Sequence, residues 1–484
     1  MKNRRKTSAL SALFSAVGAA MMTAGTVWGQ SLPPHPSYQQ PQPFYAADAA
    51  ASADLESRIS ALESELKKKQ DKKDPKKGFT ANLDGRVYLE SYHISGDSSS
   101  PLAALNTDND YNGIKDLRIG LRGEGYDIFD YQVQFFFGNA NTVEVRDVWL
   151  GVKNVPLLEY VKIGHYRVED GIANLTGNHN INFLEFDGRD FATGRRIGVS
   201  TQHLWAQERL RIFAGLYEAK NVVQSNRNET VNGVGNDWGT ITNLRITYAP
   251  YISRGKDGKY NGKNFLLFGG NYSYFDTART GGVHADGDFQ QRYATLNPAF
   301  QNYASTLGAT NSYQQFGLEF ALQKGPFAVQ SETYARVFNN VAQHDPTVWG
   351  TYAQVRYFLS GDYRKFTPSS ATWGGVDLKH NLDLQKINDH NLVKWLGALE
   401  VAAKWSYTDT SHIDPARTPP PGETDPDKVF TGSVNDITLG LNWYWNPQTR
   451  LMFDYIHVMP SHRTTAGRDH SDIDIFATSF RYHF

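Results

Sequence analysis

The sequence of 484 residues contains no cysteine. This absence excludes a disulfide scaffold, a thiol nucleophile and any metal site with cysteine ligands. The chain also lacks an excess of charge of either sign, because 49 lysine and arginine residues stand against 50 aspartate and glutamate residues. Nucleic-acid-binding proteins normally carry a basic excess, so no nucleic-acid partner is expected. The mean hydropathy of −0.51 excludes a bundle of membrane helices.

The beginning of the chain differs in composition from the rest. Residues 1–29 combine early basic residues with a short apolar stretch, which predicts a secretory signal peptide and export. Residues 30–51 form a proline-rich linker. Residues 52–77 are predicted to form a short helix followed by a lysine-rich tether.

The apolar residues of this helix follow the spacing of coiled-coil contact positions: Leu55, Ile59, Leu62 and Leu66. Two heptads fit either a lone amphipathic helix or a coiled coil between subunits. The lysine-rich tether fits either a solvated spacer or a contact with an anionic partner such as the cell wall.

Residues 78–484 alternate apolar and polar side chains with a period of two. Leu244 and Ile246, for example, alternate with Arg245 and Thr247. Such alternation places one face of a strand against an apolar medium and the other against a polar one. Sixteen segments of this kind can be counted, separated by turn residues. The even number predicts an all-β fold, a sixteen-stranded antiparallel transmembrane β-barrel in contact with outer-membrane lipid.

The connections between these segments provide a second test of the barrel. Long connections alternate with short ones, as expected for outer loops and periplasmic turns. One connection, residues 360–396, is long where a short turn is expected, and Trp373–Lys379 within it is a candidate for an additional strand. The last segment ends on Phe484, and an aromatic end is typical of outer-membrane barrels. A secreted β-sandwich or propeller would have turns of similar length on both sides.

Several segments resemble the phosphate-selective porin O and P family. The most specific lies within DITLGLNWYWNPQTRLMFDYIHV at 436–458, and SGDYRKF at 360–366 and GALEVAAKWSYTD at 397–409 support it. The resemblance implies a trimeric, sixteen-stranded outer-membrane porin whose lumen conducts anions along arginines and lysines. It also implies that a long periplasmic connection folds into the pore, which would account for residues 360–396.

Basic residues on the polar parity of the strands are predicted to face the lumen and form an anion path. They are Arg86, Arg118, Arg122, Lys162, Arg196, Arg211, Arg245, Arg336, Arg356, Lys404 and Arg481. Arginine suits phosphate because its planar group donates two parallel hydrogen bonds. Carboxylates of the same parity could instead neutralise them: Asp84, Glu90, Asp147, Glu319, Glu332, Glu400 and Asp454.

The connection at about 168–193 has the position of a constriction loop. It is acidic, since its charged residues are Glu169, Asp170, Glu185, Asp187, Arg189 and Asp190. The acidic loop argues against phosphate selectivity and favours a general or cation-preferring porin.

No catalytic motif was found in the sequence, and its histidines are scattered, so we expect no enzyme activity, metal or cofactor. The prediction is therefore a passive outer-membrane porin, as a homotrimer, for anions such as phosphate or polyphosphate. The alternatives are a cation-preferring porin and a structural protein that tethers the envelope through residues 52–77.

Overall fold

A computed structural model describes most of the predicted barrel. The described residues are 78–96, 109–139, 142–185, 188–219, 239–276, 279–280, 283–284, 286–291, 303–340, 345–387, 392–413, 431–464, 467–469 and 472–484. The predicted signal peptide (1–29), the linker (30–51) and the helix with its tether (52–77) lie outside the described residues and stay predictions.

The described chain is built almost entirely of strands. The first nine are β1 (Asn82–Gly96), β2 (Asn109–Gly125), β3 (Phe129–Asn139), β4 (Thr142–Val155), β5 (Glu159–Arg167), β6 (Arg195–Trp205), β7 (Leu210–Glu218), β8 (Thr240–Arg254) and β9 (Tyr260–Asp276). The next nine are β10 (Arg279–Thr280), β11 (Val283–His284), β12 (Asp286–Gln291), β13 (Tyr303–Lys324), β14 (Phe327–Asn340), β15 (Thr347–Phe358), β16 (Tyr363–Thr367), β17 (Thr372–Asp377) and β18 (Ala398–Asp409). The last four are β19 (Thr431–Asn446), β20 (Thr449–Thr464), β21 (Gly467–Asp469) and β22 (Ile473–His483).

The helices are short. They are α1 (Ile172–Leu175), α2 (Leu392–Trp395) and a 3-10 helix at Arg189–Phe191. Among the described residues, none of the helices reaches the length and apolar content needed to cross a membrane.

The strands form a closed antiparallel barrel. Each wall strand pairs with the next wall strand along the chain, and β22 pairs with β1 to close the ring. The sheet has 18 strands, of which β12 and β21 only extend the edges of β13 and β20, so sixteen strands form the wall in the described part of the chain. The predicted sixteen-stranded barrel is confirmed.

The wall has apolar residues outside and polar residues inside. On β8, Leu244 and Ile246 expose 39% and 42% of their surface, whereas Arg245 between them exposes 0%. A water-soluble protein buries its apolar side chains, so this inverted pattern is the one expected of a transmembrane barrel. The interior is correspondingly rich in buried arginine, glutamate and amide side chains.

Short turns lie at one end of the barrel, as the alternation of connection lengths predicted. Three residues separate β2 from β3 and β4 from β5, and two separate β19 from β20. Residues 360–396 are the exception, because this long connection contains a hairpin of its own. Strands β16 and β17 form a separate hairpin that pairs with no wall strand.

The hairpin packs on the inside of the wall. Phe366 and Trp373 of the hairpin contact Phe265 of β9, with ring centroids 4.1 Å and 5.0 Å from that of Phe265. Gly262 permits this approach, because a Cβ atom there would lie 2.2 Å from the backbone nitrogen of Phe366. The predicted strand at Trp373–Lys379 corresponds to β17, whereas its partner β16 was not predicted.

Candidate functional site

Residues 168–193, here called the inner loop, connect β5 to β6 and fold into the lumen. Glu332 of β14 accepts hydrogen bonds from the backbone nitrogens of Ile172 (2.7 Å) and Ala173 (3.0 Å). Asp454 of β20 accepts one from the backbone nitrogen of Leu184 (2.7 Å). Because β14 and β20 lie far around the wall from β5, the inner loop must cross the lumen.

The carboxylates of the inner loop are engaged with neighbouring groups. Glu169 receives two hydrogen bonds from Arg211 (2.6 and 2.7 Å) and one from Arg245 (3.3 Å). Burial alone would raise the pKa of Glu169, but these guanidinium groups outweigh it and hold the pKa below its usual value. Glu185 pairs with Lys115 of β2. Two of the acidic charges that made this loop look cation-selective are therefore neutralised.

Asp170 serves the loop itself. Its carboxylate accepts hydrogen bonds from the backbone nitrogen of Thr193 (2.6 Å) and from the Asn174 side chain (3.4 Å), which joins the two ends of the loop. Burial raises the pKa of Asp170 to about 6. Asp190 lies in the 3-10 helix, while Asp187 and the side chain of Arg189 lie outside the described residues.

Four of the predicted lumen arginines hold the inserted segments against the wall. Arg211 binds Glu169 and Gln202. Arg245 is shared between Glu319 and Glu169 and also donates to the carbonyls of Ser370 and Ala371. Arg336 donates to Gln315 and to the carbonyl of Phe191, and Arg356 donates to Asn182 and Gln323. Arg364, which was not among the predicted residues, binds Glu400 (3.0 Å), Tyr444 (2.6 Å) and the carbonyl of Asn180.

A different set of arginines lies together on β1, β2, β4, β5 and β6, where it interacts electrostatically as a group. This arginine cluster consists of Arg86, Arg118, Arg146, Arg167 and Arg195. In the sheet, Arg86 stands directly opposite Arg118, and Arg118 opposite Phe136. The aromatic ring of Phe136 also contacts the cluster, because its centroid lies 4.2 Å from the guanidinium carbon of Arg146.

Three carboxylates partly balance the arginine cluster. Asp116 lies 3.1 Å from Arg86 and 2.6 Å from Arg118. Asp147 lies 2.7 Å from Arg195, and Glu144 lies 3.1 Å from Arg146. Arg167 donates to the carbonyl of Asn174 and to Asn178 of the inner loop. Five arginines against three carboxylates leave this group with a net charge of +2.

Two β-bulges bring consecutive charged residues to the inner face. On β4, Val145 opposes Phe135 and Val148 opposes Val133, so Arg146 and Asp147 both point inward between two outward valines. On β2, a shift of register between Tyr88 and Leu89 of β1 does the same for Lys115 and Asp116. A bulge inserts one unpaired residue and re-aims its neighbours.

Strict alternation therefore missed part of the cluster. It assigned Arg146 to the lipid face, and the parity that placed Lys162 and Arg196 in the lumen assigned Arg167 and Arg195 to the opposite face. A usable signal was present in the sequence, since a charged side chain facing lipid is costly and the adjacent pair Arg146–Asp147 would require one.

The remaining predicted path residues do not belong to the cluster: Arg122, Lys162, Arg196, Lys404 and Arg481. Lys162 contacts the rings of Trp149 (4.4 Å) and Tyr166 (4.7 Å). Arg196 donates to the carbonyls of Ala219 and Arg195. The last three predicted residues differ in their surroundings. Arg122 is exposed, Lys404 lies 3.5 Å from Asp436, and Arg481 pairs with Glu90 at 2.9 Å.

The described residues contain no group of three or more histidine, aspartate or glutamate side chains placed to hold a metal ion. The chemistry that the inner face offers is hydrogen-bond donation and positive charge, concentrated at the arginine cluster. It suits the transient binding of anions.

Known proteins resemble this chain in sequence and in fold. The profile of a family described as Phosphate-selective porin O and P matches residues 88–484. Porin O of Pseudomonas aeruginosa is 26% identical over 263 residues, covering 50% of this chain and 52% of the relative. An uncharacterized protein of Caulobacter vibrioides is 25% identical and covers 58% of each chain. The chain thus spans between about half and three fifths of the length of the curated relatives it matches.

Solved outer-membrane barrels are similar at lower identity. An anion-selective porin from Comamonas acidovorans is 13% identical, with a TM-score of 0.48 over 84% of this chain and 100% of that one. OprB of Pseudomonas putida is 10% identical, with a TM-score of 0.49 over 84% of this chain and 94% of that one.

Proposed function

Since the chain belongs to the phosphate-selective porin O and P family, as its motifs predicted, we propose that it is a passive channel for inorganic anions, including phosphate and polyphosphate. The family and the closed barrel together indicate the bacterial outer membrane. Solutes would diffuse down their own gradient, so the activity requires no cofactor and no catalytic residue. The observation that carries the proposal is the net positive arginine cluster.

The arginine cluster supports anion binding through both charge and geometry. Its guanidinium groups donate in a planar fork that matches phosphate oxygens. Its net charge of +2 is confined between the wall and the inner loop. The three carboxylates keep the attraction moderate, and a site that binds moderately lets an ion leave again.

The arrangement of the inner loop argues against the cation-preferring alternative. The acidic character of the inner loop was the main argument for that alternative. Glu169 is bound by Arg211 and Arg245, Glu185 is bound by Lys115, and Asp170 is turned toward the backbone of the loop. Three of its carboxylates are thus unavailable as a filter for cations.

The test is to measure the zero-current potential of the purified protein in a planar bilayer under a KCl gradient, followed by phosphate titration. The wild-type channel should prefer chloride, and phosphate should block the chloride current. Arg118→Gln should raise the half-blocking phosphate concentration at least about tenfold, because it removes one charged donor worth about 1.5–3 kcal/mol. Asp147→Asn should lower that concentration, because the cluster gains net positive charge.

A matched control comes from outside the lumen. Arg254 is exposed at the short-turn end of β8, where it donates to the carbonyl of Gly258 and to Tyr260. Arg254→Gln should leave the selectivity and the phosphate block unchanged. A wild-type preference for potassium, or identical block in Arg118→Gln and the wild type, would contradict the proposal.

We further propose that the channel is a homotrimer, in which residues 52–77 form a coiled coil between subunits. Deletion of residues 30–77 would then abolish trimers on native gels while the barrel remains heat-modifiable. Intact trimers combined with a weakened envelope would instead favour the tethering role of this segment.

A further inference from the structure

Two histidines meet on the inner face beside the arginine cluster. The rings of His179, on the inner loop, and His483, at the end of β22, lie 4.7 Å apart between centroids and are inclined by 38°. His483 stands directly opposite Arg86 of β1 in the sheet. Its backbone nitrogen donates to Gln448 in the turn between β19 and β20, so the pair lies near the short-turn end of the barrel.

Arginines of the wall fix the position of His179. Arg450 of β20 donates to the carbonyls of Asn178 (3.2 Å) and Ile181 (2.7 Å), which flank it in the loop. Arg481 of β22 also donates to the carbonyl of Asn178, at 2.9 Å. The pair is therefore held by the wall on one side and by the inner loop on the other.

The charged groups that face this pair are cationic. Arg86 of β1 and Arg450 of β20 act electrostatically on both imidazoles, and Arg364 of β16 acts on His179. Among the described residues, neither imidazole forms an ion pair with a carboxylate. Burial, reinforced by His483 and these arginines, holds the pKa of His179 well below its usual value. His179 is therefore neutral at physiological pH.

We propose that His179 and His483, together with Arg86, form a site for a tetrahedral dianion and that the site takes up a proton when the dianion binds. This rests on the proposed function, since the dianion reaches the site through the lumen. Both histidines are half-buried residues. A dianion among these groups would offset the repulsion from the arginines, and an imidazole could then accept a proton from solvent and become a charged donor.

Coupled proton uptake has a measurable consequence. If the imidazoles are neutral before the dianion binds and one is protonated afterwards, the affinity for the dianion depends on pH. This affinity rises by up to about tenfold for each pH unit of acidification per proton taken up. Phosphate is a poor probe because it titrates near neutral pH itself. Sulfate is the better probe, because its charge of −2 stays constant across that range.

The experiment measures sulfate block of the chloride current in planar bilayers between about pH 5.5 and about pH 7.5, the range in which histidine commonly titrates. We expect block of the wild type to strengthen at least severalfold toward acid. This pH dependence should be lost in His179→Gln and His483→Gln. The control is His203→Gln, because His203 lies on the outer face of β6, opposite the outward Ile212 of β7.

Each outcome decides between the two proposals. Anion selectivity with a sulfate block that does not vary with pH would overturn the histidine site and leave the anion channel standing. The same pH dependence in all four proteins would also overturn the site. A wild-type preference for cations would overturn both proposals. If His483→Gln fails to fold as a heat-modifiable barrel, His179→Gln decides alone, because its side chain belongs to the loop.

Discussion

Removal of the Glu332 side chain should release the inner loop from the wall. This carboxylate is buried, with 1% of its surface exposed, and it accepts hydrogen bonds from two backbone nitrogens of α1 and from Tyr334 and Tyr352. In Glu332→Ala, both backbone groups lose their acceptor. A buried donor left without a partner costs about 1–3 kcal/mol, so the loop loses about 2–6 kcal/mol of attachment.

Even a loss of about 2 kcal/mol of attachment is enough to change the conductance of the channel. About 1.4 kcal/mol corresponds to a factor of ten in an equilibrium, so a loss of 2 kcal/mol shifts the ratio of attached to detached loop by about thirtyfold. The part of the loop around α1 then no longer lies against β14, while Asp454, Arg450 and Arg481 still hold the later part of the loop. We therefore expect Glu332→Ala to show a larger single-channel conductance, more current noise and weaker ion selectivity in planar bilayers.

The neighbouring residue provides the control. Thr333 lies on the same strand with its side chain on the outer face, where its hydroxyl lies 2.8 Å from that of Thr351. Thr333→Ala should leave the conductance unchanged. If Glu332→Ala folded as a heat-modifiable barrel and had the conductance and noise of the wild type, the assignment of Glu332 as an anchor of the inner loop would be refuted.

Two further predictions concern Asp170 and the hairpin. The pKa of Asp170 is raised from 3.8 to about 6 in the folded state, so the free energy of unfolding should fall by roughly 3 kcal/mol as the pH rises from about 4 to about 6. Denaturant titration in detergent should show that Asp170→Asn loses this dependence, and an equal slope in both proteins would contradict the prediction. Gly262→Ala should destabilise the barrel or displace the hairpin, because the added Cβ would lie 2.2 Å from the backbone of β16 at a positive φ of 63°. Gly258→Ala, with a φ of 77° and no atom within 4 Å, isolates the backbone strain, which is worth about 1–2 kcal/mol. Equal loss of stability in the two variants would show that the close approach has no effect.

The fold could be predicted from the sequence because its main signal is local. The alternation around Leu244 and Ile246 depends only on the pleat of one strand and the medium on each side. The unusual length of the connection at 360–396 was visible in the same way. The segment that became β17 was predicted as a candidate strand, whereas β16, which has only five residues, was not.

The site could be predicted only in part, because its charges meet through the tertiary structure. Arg245 and Glu319 pair although 74 positions separate them, and no spacing in the sequence marks such a pair. The inward position of Arg146 depends on how β4 pairs with β3. The parity rule identified inward basic residues without showing which would hold the inserted segments and which would face the path.

The bulge on β4 makes the charge of the lumen sensitive to the length of the strand. It places Arg146 and Asp147, of opposite charge, on the inner face side by side. Deletion of either residue would restore regular alternation, since the valines on both sides already point outward and the pairing with β3 would be kept. Loss of Asp147 would make the lumen more positive, and loss of Arg146 would make it more negative. Deletion of a single residue from β4 could therefore alter the ion preference without altering the outward-facing surface.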